Sequence, residues 1–261
     1  MRNLIPILLG VVVLSSGCDP DGYSCNSEGC YADDDNPQYQ TLEDCNSLCD
    51  EPKPGGCGSL VLHEDYLYST VQIGNQCWFA ENCRYLPEVS PSNEESETEP
   101  YYYVYGYEGT DVEAAKSTAN YETYGVLYNW PAVMTEGICP SGWHIPSDGE
   151  WQTMEISLGM SETEAASTEW RGSPVGDYMK SASGWNSGGN GSNSSGFNGL
   201  PGGWRWIGSF YNSGDNTYLW SSSASGSSYA WTRLLVNWNS SVERSPDLKE
   251  SGFSARCVRD D

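Results

Sequence analysis

Ten cysteines, two histidines, 11 tryptophans and 18 tyrosines carry most of the side-chain chemistry available to this chain of 261 residues. Thiols can be acylated, crosslinked or metallated; imidazoles move protons; aromatic faces stack on sugar rings. His144 stands between Trp143 and Ile145 and reads as a buried structural histidine, whereas His63, beside Glu64 and Asp65, reads as a surface residue. The chain has no Gly-x-Ser-x-Gly elbow, no phosphate-binding loop and no Gly-x-Gly-x-x-Gly turn after a strand, so no catalytic or cofactor-binding residues are expected. Trp204, Trp206, Trp220 and Trp231, in short aromatic runs, are the candidates for contacting a polysaccharide, with core packing as their competing use. Asp215 and Glu243 are carboxylates that could hold a loosely bound calcium ion.

The cysteines also read as an address. Met1-Arg2-Asn3 precedes an apolar run from Leu4 to Leu14, the length of a signal-peptide core and too short to span a bilayer. Ser15-Ser16-Gly17 then leads to Cys18, the position at which bacterial lipoproteins are acylated. Ser15 stands where the usual box has an aliphatic residue, so simple cleavage to a secreted protein is the alternative. The expected product is an exported protein of the cell envelope, held on the outer membrane or cell surface by lipid at Cys18. Its net charge of −24 at pH 7 excludes nucleic acid and anionic surfaces as partners.

The elements that must position these residues fall into five stretches: a signal (1–17), a tether (18–24), a cysteine-rich mini-module (25–50), a Pro/Gly linker (51–56) and a large domain (57–261). The mini-module has too few residues to bury a core and needs crosslinks. Its cysteines allow three pairings, of which the nested one, Cys25–Cys49 with Cys30–Cys45, is favoured. Cys45 and Cys49 share one face of a helix beginning near Thr41. Zinc is a poor fit to this ligand spacing. In the large domain, a strand is expected over Tyr66–Ile73 with a turn at Gly74-Asn75, and a helix from Tyr121 until Pro131. Capping boxes start helices at Ser147 and Ser161, the second running to about Trp170. Residues 87–100 and 187–195 read as surface loops, and the tyrosine run 101–107 as an edge strand. Trp204-Arg205-Trp206, Tyr218-Leu219-Trp220 and Trp231 to Trp238 suit short antiparallel strands, so the fold class is α+β: two or three helices and a small antiparallel sheet.

Five segments occur in order: Val71–Asn82, Tyr124–Trp130, Cys139–Trp151, Gly196–Gly203 and Ser254–Arg259. Together the large domain resembles the Fibrobacter succinogenes major paralogous domain. That family is related to the C-type-lectin-like fold and to the sulfatase-modifying domain, and has no established activity. The resemblance implies a lectin-like architecture whose chain ends meet. In it Cys139–Cys257 would close about 118 residues, a stabilisation on the order of 4–5 kcal/mol. Cys57 and Cys77 flank the first strand and can pair, leaving Cys83 free; the rival pairing, Cys77–Cys83, leaves Cys57 over, and both stay open. The cysteine pair of the sulfatase-modifying enzymes has no counterpart beyond Cys257. The calcium–sugar tripeptides of C-type lectins are absent, Trp185-Asn186-Ser187 and Trp238-Asn239-Ser240 being partial echoes. The expected role is therefore a binding or adhesion module, for polysaccharide or for another surface protein. A diverged enzyme and a purely structural envelope protein are the alternatives.

Overall fold

The computed structural model describes residues 56–260 and the backbone of two short strands before them. Those strands, β1 (Tyr23–Asn26) and β2 (Gly29–Ala32), form an antiparallel hairpin in which Cys25 lies opposite Cys30. The hairpin begins inside the stretch read as tether. The signal, Cys18 and the nested pairing with Cys45 and Cys49 lie outside the described residues.

The large domain is an α+β arrangement of short elements. Tyr66–Ile73 is not one strand. Val61–His63 (β3) pairs with Tyr66–Tyr68 (β4), and Thr70–Ile73 (β5) belongs to a different sheet, pairing with Gln76–Phe79 (β6) across the Gly74-Asn75 turn. Tyr102–Tyr103 (β7) pairs with Leu127–Tyr128 (β8). Tyr102, Tyr103 and Val104 are buried, so this tyrosine run packs inward rather than displaying its rings. The helix expected from Tyr121 to Pro131 is two helices, Ala119–Tyr124 and Trp130–Val133. Gly125, at φ 73°, ends the first; Pro131 sits in the first turn of the second, where its missing N–H costs no hydrogen bond.

Trp143–His144 (β9) precedes the helix Asp148–Ser157, which Ser147 and Glu150 cap reciprocally. Ser161 and Glu164 cap Glu162–Ala166 in the same way. That helix stops at Ala166, and Trp170 lies instead in a strand, Glu169–Arg171 (β10). Trp204–Trp206 (β11) and Ser209–Tyr211 (β12) form a hairpin. Asn216–Ala224 (β13), Tyr229–Val236 (β14) and Val242–Leu248 (β15) complete an antiparallel sheet of order β10-β15-β14-β13. The last strand, Val258–Arg259 (β16), lies between β6 and β9, with Val258 opposite both Trp78 and His144.

Two apolar clusters fill the domain. One gathers Tyr68, Phe79, Tyr128, Trp220 and Phe253; the other Trp78, Trp151, Met154, Phe197, Leu235 and Val258. A buried ion network joins the capped helix to the sheet. Arg233 Nε and Arg171 Nη2 each donate at 2.6 Å to Glu155, while Arg233 Nη1 and Arg244 Nη2 donate to Asp148 at 2.9 and 2.7 Å. Glu155 and Arg233 are fully buried. Burial alone would raise the Asp148 carboxyl, but the hydrogen bonds of Arg244 and the charge of Arg233 hold it down at about 2.

The low-complexity loop 187–195 packs through its backbone. Gly191 N–H donates to Ser181 O and Ser192 N–H to Asp177 O. A Cβ on Gly189 would lie 2.3 Å from Asn237 O, and one on Gly191 would lie 2.4 Å from Asp177 O. The absence of side chains is what lets this segment lie against its neighbours.

Candidate functional site

The β11–β12 hairpin carries an organised aromatic surface. Register places Trp204 opposite Tyr211 and Trp206 opposite Ser209, so alternation puts Trp204, Trp206 and Tyr211 on one face. Trp204 is the pivot: its ring centroid is 5.7 Å from Trp206, with planes 22° apart, and 5.4 Å from Tyr211. Behind, it touches Tyr218 at 5.2 Å and the buried Phe253 at 6.1 Å. Trp206 and Tyr211 are each 37% exposed.

The opposite face fixes the hairpin. Arg205 is fully buried and donates to Ser92 O, Glu250 O and the Glu95 carboxylate. Its main chain pairs with Gly252 in both directions. The turn holds Ile207 at φ 41° and Gly208 at φ 70°. A β-branched residue rarely adopts positive φ, so Ile207, itself exposed, sits in a strained conformation at the tip of an otherwise rigid element.

The four tryptophans singled out by sequence therefore separate. Trp204 and Trp206 share the exposed hairpin. Trp220 is fully buried, its indole N–H donating to Tyr128 O, and so is core rather than ligand surface. Trp231 is covered by the Arg244 guanidinium, 3.8 Å from its ring centroid. Sequence reading missed Tyr211 and Ile207. Their signal was a Trp-x-Trp run and a Ser-Phe-Tyr run about a two-residue turn ending in glycine. Trp238, 71% exposed and 5.2 Å from Trp170, was also missed as a surface ring.

A polar cleft of about 360 Å³ lies elsewhere, where two of the ordered sequence segments meet: Ala80, Glu81 and Asn82 from the first, Asn198 and Leu200 from the fourth. Glu81 accepts from Tyr66 Oη at 2.5 Å and from Ser69 N–H at 2.9 Å. Burial opposes ionisation of Glu81, but these donors outweigh it and lower its pKa below the ordinary carboxylate value. Arg84 lies 4.3 Å over the Tyr66 ring and donates to Tyr121 O and Glu122 O. Beneath, the fully buried Arg256 bonds Asn82 Oδ1 and the carbonyls of Phe197 and Asn198, and burial pushes its pKa down to about 9.

His144 is not enclosed among its apolar neighbours. Ile145 is buried, while the His144 side chain stays 41% exposed beside a second cleft. Its Nδ1 lies 2.6 Å from Asp260 and its Nε2 2.7 Å from Glu150. Only the imidazolium can donate at both nitrogens. Burial alone would lower its pKa, but hydrogen bonds to Asp260 and Glu150 raise it above the ordinary value. His63, at the end of the β3–β4 hairpin, contacts Gly137 O at 2.8 Å.

Cys139 and Cys257 are joined in a disulfide spanning 118 residues. Cys57 and Cys77 are each disulfide-bonded, and Cys83 is free and buried. Among the described residues, the sulfurs of Cys83, Cys139 and Cys257 are grouped within 4.8 Å of one another, and with two of them joined in a disulfide they present no thiolate set to a metal. Asp215, which accepts from Asn237 Nδ2 at 2.7 Å, and Glu243 are not in that group.

A family model described as the Fibrobacter succinogenes major domain matches residues 71–259. No curated protein and no solved structure matches the chain.

Proposed function

The chain belongs to the Fibrobacter succinogenes major domain family, and on that premise we propose that it is an exported lipoprotein, anchored through Cys18, whose large domain binds extracellular polysaccharide. The aromatic face of the β11–β12 hairpin carries this reading. Trp206 and Tyr211 are each partly exposed, Trp204 packs against both, and Arg205 locks the strand from behind, so little ordering entropy is lost on binding. Sugar rings present C–H faces that stack on such surfaces.

The Ser16-Gly17-Cys18 sequence after an apolar run supports the anchor, which places the domain outside the cytoplasmic membrane. The meeting of β6, β9 and the last strand β16 supports a lectin-like relative. The proposed role is binding rather than catalysis: Cys257, the one cysteine in the second half of the domain, is tied to Cys139.

Covering the exposed 37% of a tryptophan removes roughly 90 Å² from water, about 2 kcal/mol or thirtyfold in affinity. Affinity electrophoresis through gels containing neutral and acidic polysaccharides tests the proposal. Retardation that Trp206→Ala weakens by ten- to thirtyfold supports it. Absence of retardation by every polysaccharide, with and without calcium, overturns it.

A further inference from the structure

The free thiol of Cys83 lies 3.5 Å from Cys257 Sγ, in contact with the disulfide that joins Cys257 to Cys139. All three sulfurs fall within 4.8 Å of one another. The segments carrying Cys83 and Cys257 are held together independently of the sulfur bond: Cys83 N–H donates to Ala255 O, and Phe79 N–H to Cys257 O. Cys83 and Cys257 are fully buried, whereas Cys139 is half-buried and lines the cleft that also contains Glu136 and His144.

We propose that these three cysteines form an exchange unit in which the disulfide migrates from Cys139–Cys257 to Cys83–Cys257, uncovering Cys139 as a modifiable thiol at the cleft. The step is redox-neutral. Over the whole step the proton passes from Cys83 to the departing Cys139 sulfur or, at alkaline pH, to hydroxide, as the Cys83 thiolate attacks Cys257 Sγ. The Cys257–Cys139 bond breaks, and Cys139 leaves as a thiolate that is protonated according to the pH. The sulfurs form a triangle, not a line, so a turn of the Cys83 side chain about χ1 precedes attack.

Ionisation sets the direction. Burial pushes the Cys83 thiol up to about 12, against a smaller opposing pull from Arg256. The buried hydroxyls of Tyr68 and Tyr128 also face Cys83, and both stay protonated because burial raises their pKa values. Cys139, once released, shares its cleft with Glu136 and His144 and is partly solvated. An ordinary thiol ionises near 8.5. The migrated form therefore sheds its proton at lower pH than the resting form, and alkaline pH draws the equilibrium towards it, by up to about tenfold per pH unit above that point.

Alkylation of the native whole chain with iodoacetamide from pH 7 to 9.5, followed by peptide mapping of bridges, tests this, with circular dichroism confirming that the fold persists. The expected product carries the label on Cys139 with a Cys83–Cys257 bridge, and its yield grows with pH. Cys83→Ser and Cys83→Ala should each abolish labelling of Cys139 at least tenfold while keeping the Cys139–Cys257 bridge. Label on Cys83 with that bridge intact, or no label at pH 9.5 in the folded chain, overturns the proposal. The labelling and bridge map are read separately from polysaccharide binding, because none of the β11–β12 hairpin residues lines the cleft that Cys139 enters.

Discussion

Glu155→Gln offers the sharpest test of how the domain is held together. Glu155 is fully buried and receives 2.6 Å hydrogen bonds from both Arg233 and Arg171. The amide has nearly the same shape, so no cavity opens. It removes the charge that balances two buried guanidinium groups, and it turns one of its two heteroatoms into a donor that must face an arginine donor. The network then holds three arginines against Asp148 alone. Breaking a buried pair by changing one partner costs about 3–5 kcal/mol, chiefly from the uncompensated charge left behind. With a urea m-value of about 2 kcal/mol/M, the midpoint should fall by roughly 1.5–2.5 M. Urea unfolding followed by tryptophan fluorescence reads this. Replacing Glu155, Arg171 and Arg233 together by Leu, Leu and Met should restore most of the loss, since no unpaired charge remains. A single-variant loss under 1 kcal/mol with unchanged m would refute the reasoning.

Three further outcomes follow from the same geometry. Asp148 has a folded pKa of about 2, below its ordinary value of 3.8, so its contribution is present above 3.8 and is lost as pH falls towards 2. Acid unfolding should show this limb, and Asp148→Asn should flatten it while lowering stability at neutral pH. His144 shifts the other way: its contribution is full below the ordinary value of 6.5 and is lost as pH rises through its raised folded pKa. Thermal unfolding at closely spaced pH values should show a decline above 6.5 that His144→Gln removes. Gly189→Ala would place a Cβ 2.3 Å from Asn237 O, against backbone that cannot rotate away. It should destabilise the domain by about 1–3 kcal/mol in urea titration, and an unchanged midpoint would contradict the packing described for residues 187–195.

Local signals were readable in the sequence wherever one residue type does one job. The capping boxes at Ser147 and Ser161 form as written, and Gly74-Asn75 turns β5 into β6. The aromatic runs near Tyr218 and Trp231 are strands. Misreadings arose where tertiary partners decide. Tyr66–Ile73 alternates like one strand but divides between two sheets, because Val61–His63 competes for its first half. Pro131 looked like a helix terminator, yet with Asn129 as cap it opens a helix. Trp170 left its expected helix for β10, beside β15. His144 could not be placed from its neighbours, since Asp260 reaches it from 116 residues away. The same limit applies to the hairpin: Trp204 and Trp206 were visible, but which tryptophans are covered depends on Arg244 and Phe253, whose positions only the fold supplies.

Binding of polysaccharide by the rings on β11–β12, as proposed, is tested by comparing retention of the native chain and of Trp206→Ala, Tyr211→Ala and Trp238→Ala on a panel of insoluble polysaccharides. At least one polysaccharide should retain the native chain, Trp206→Ala and Tyr211→Ala should each lose ten- to thirtyfold in affinity, and Trp238→Ala should bind normally. Retention unaffected by Trp206→Ala and Tyr211→Ala, or no retention at all by a folded chain, would contradict the proposal.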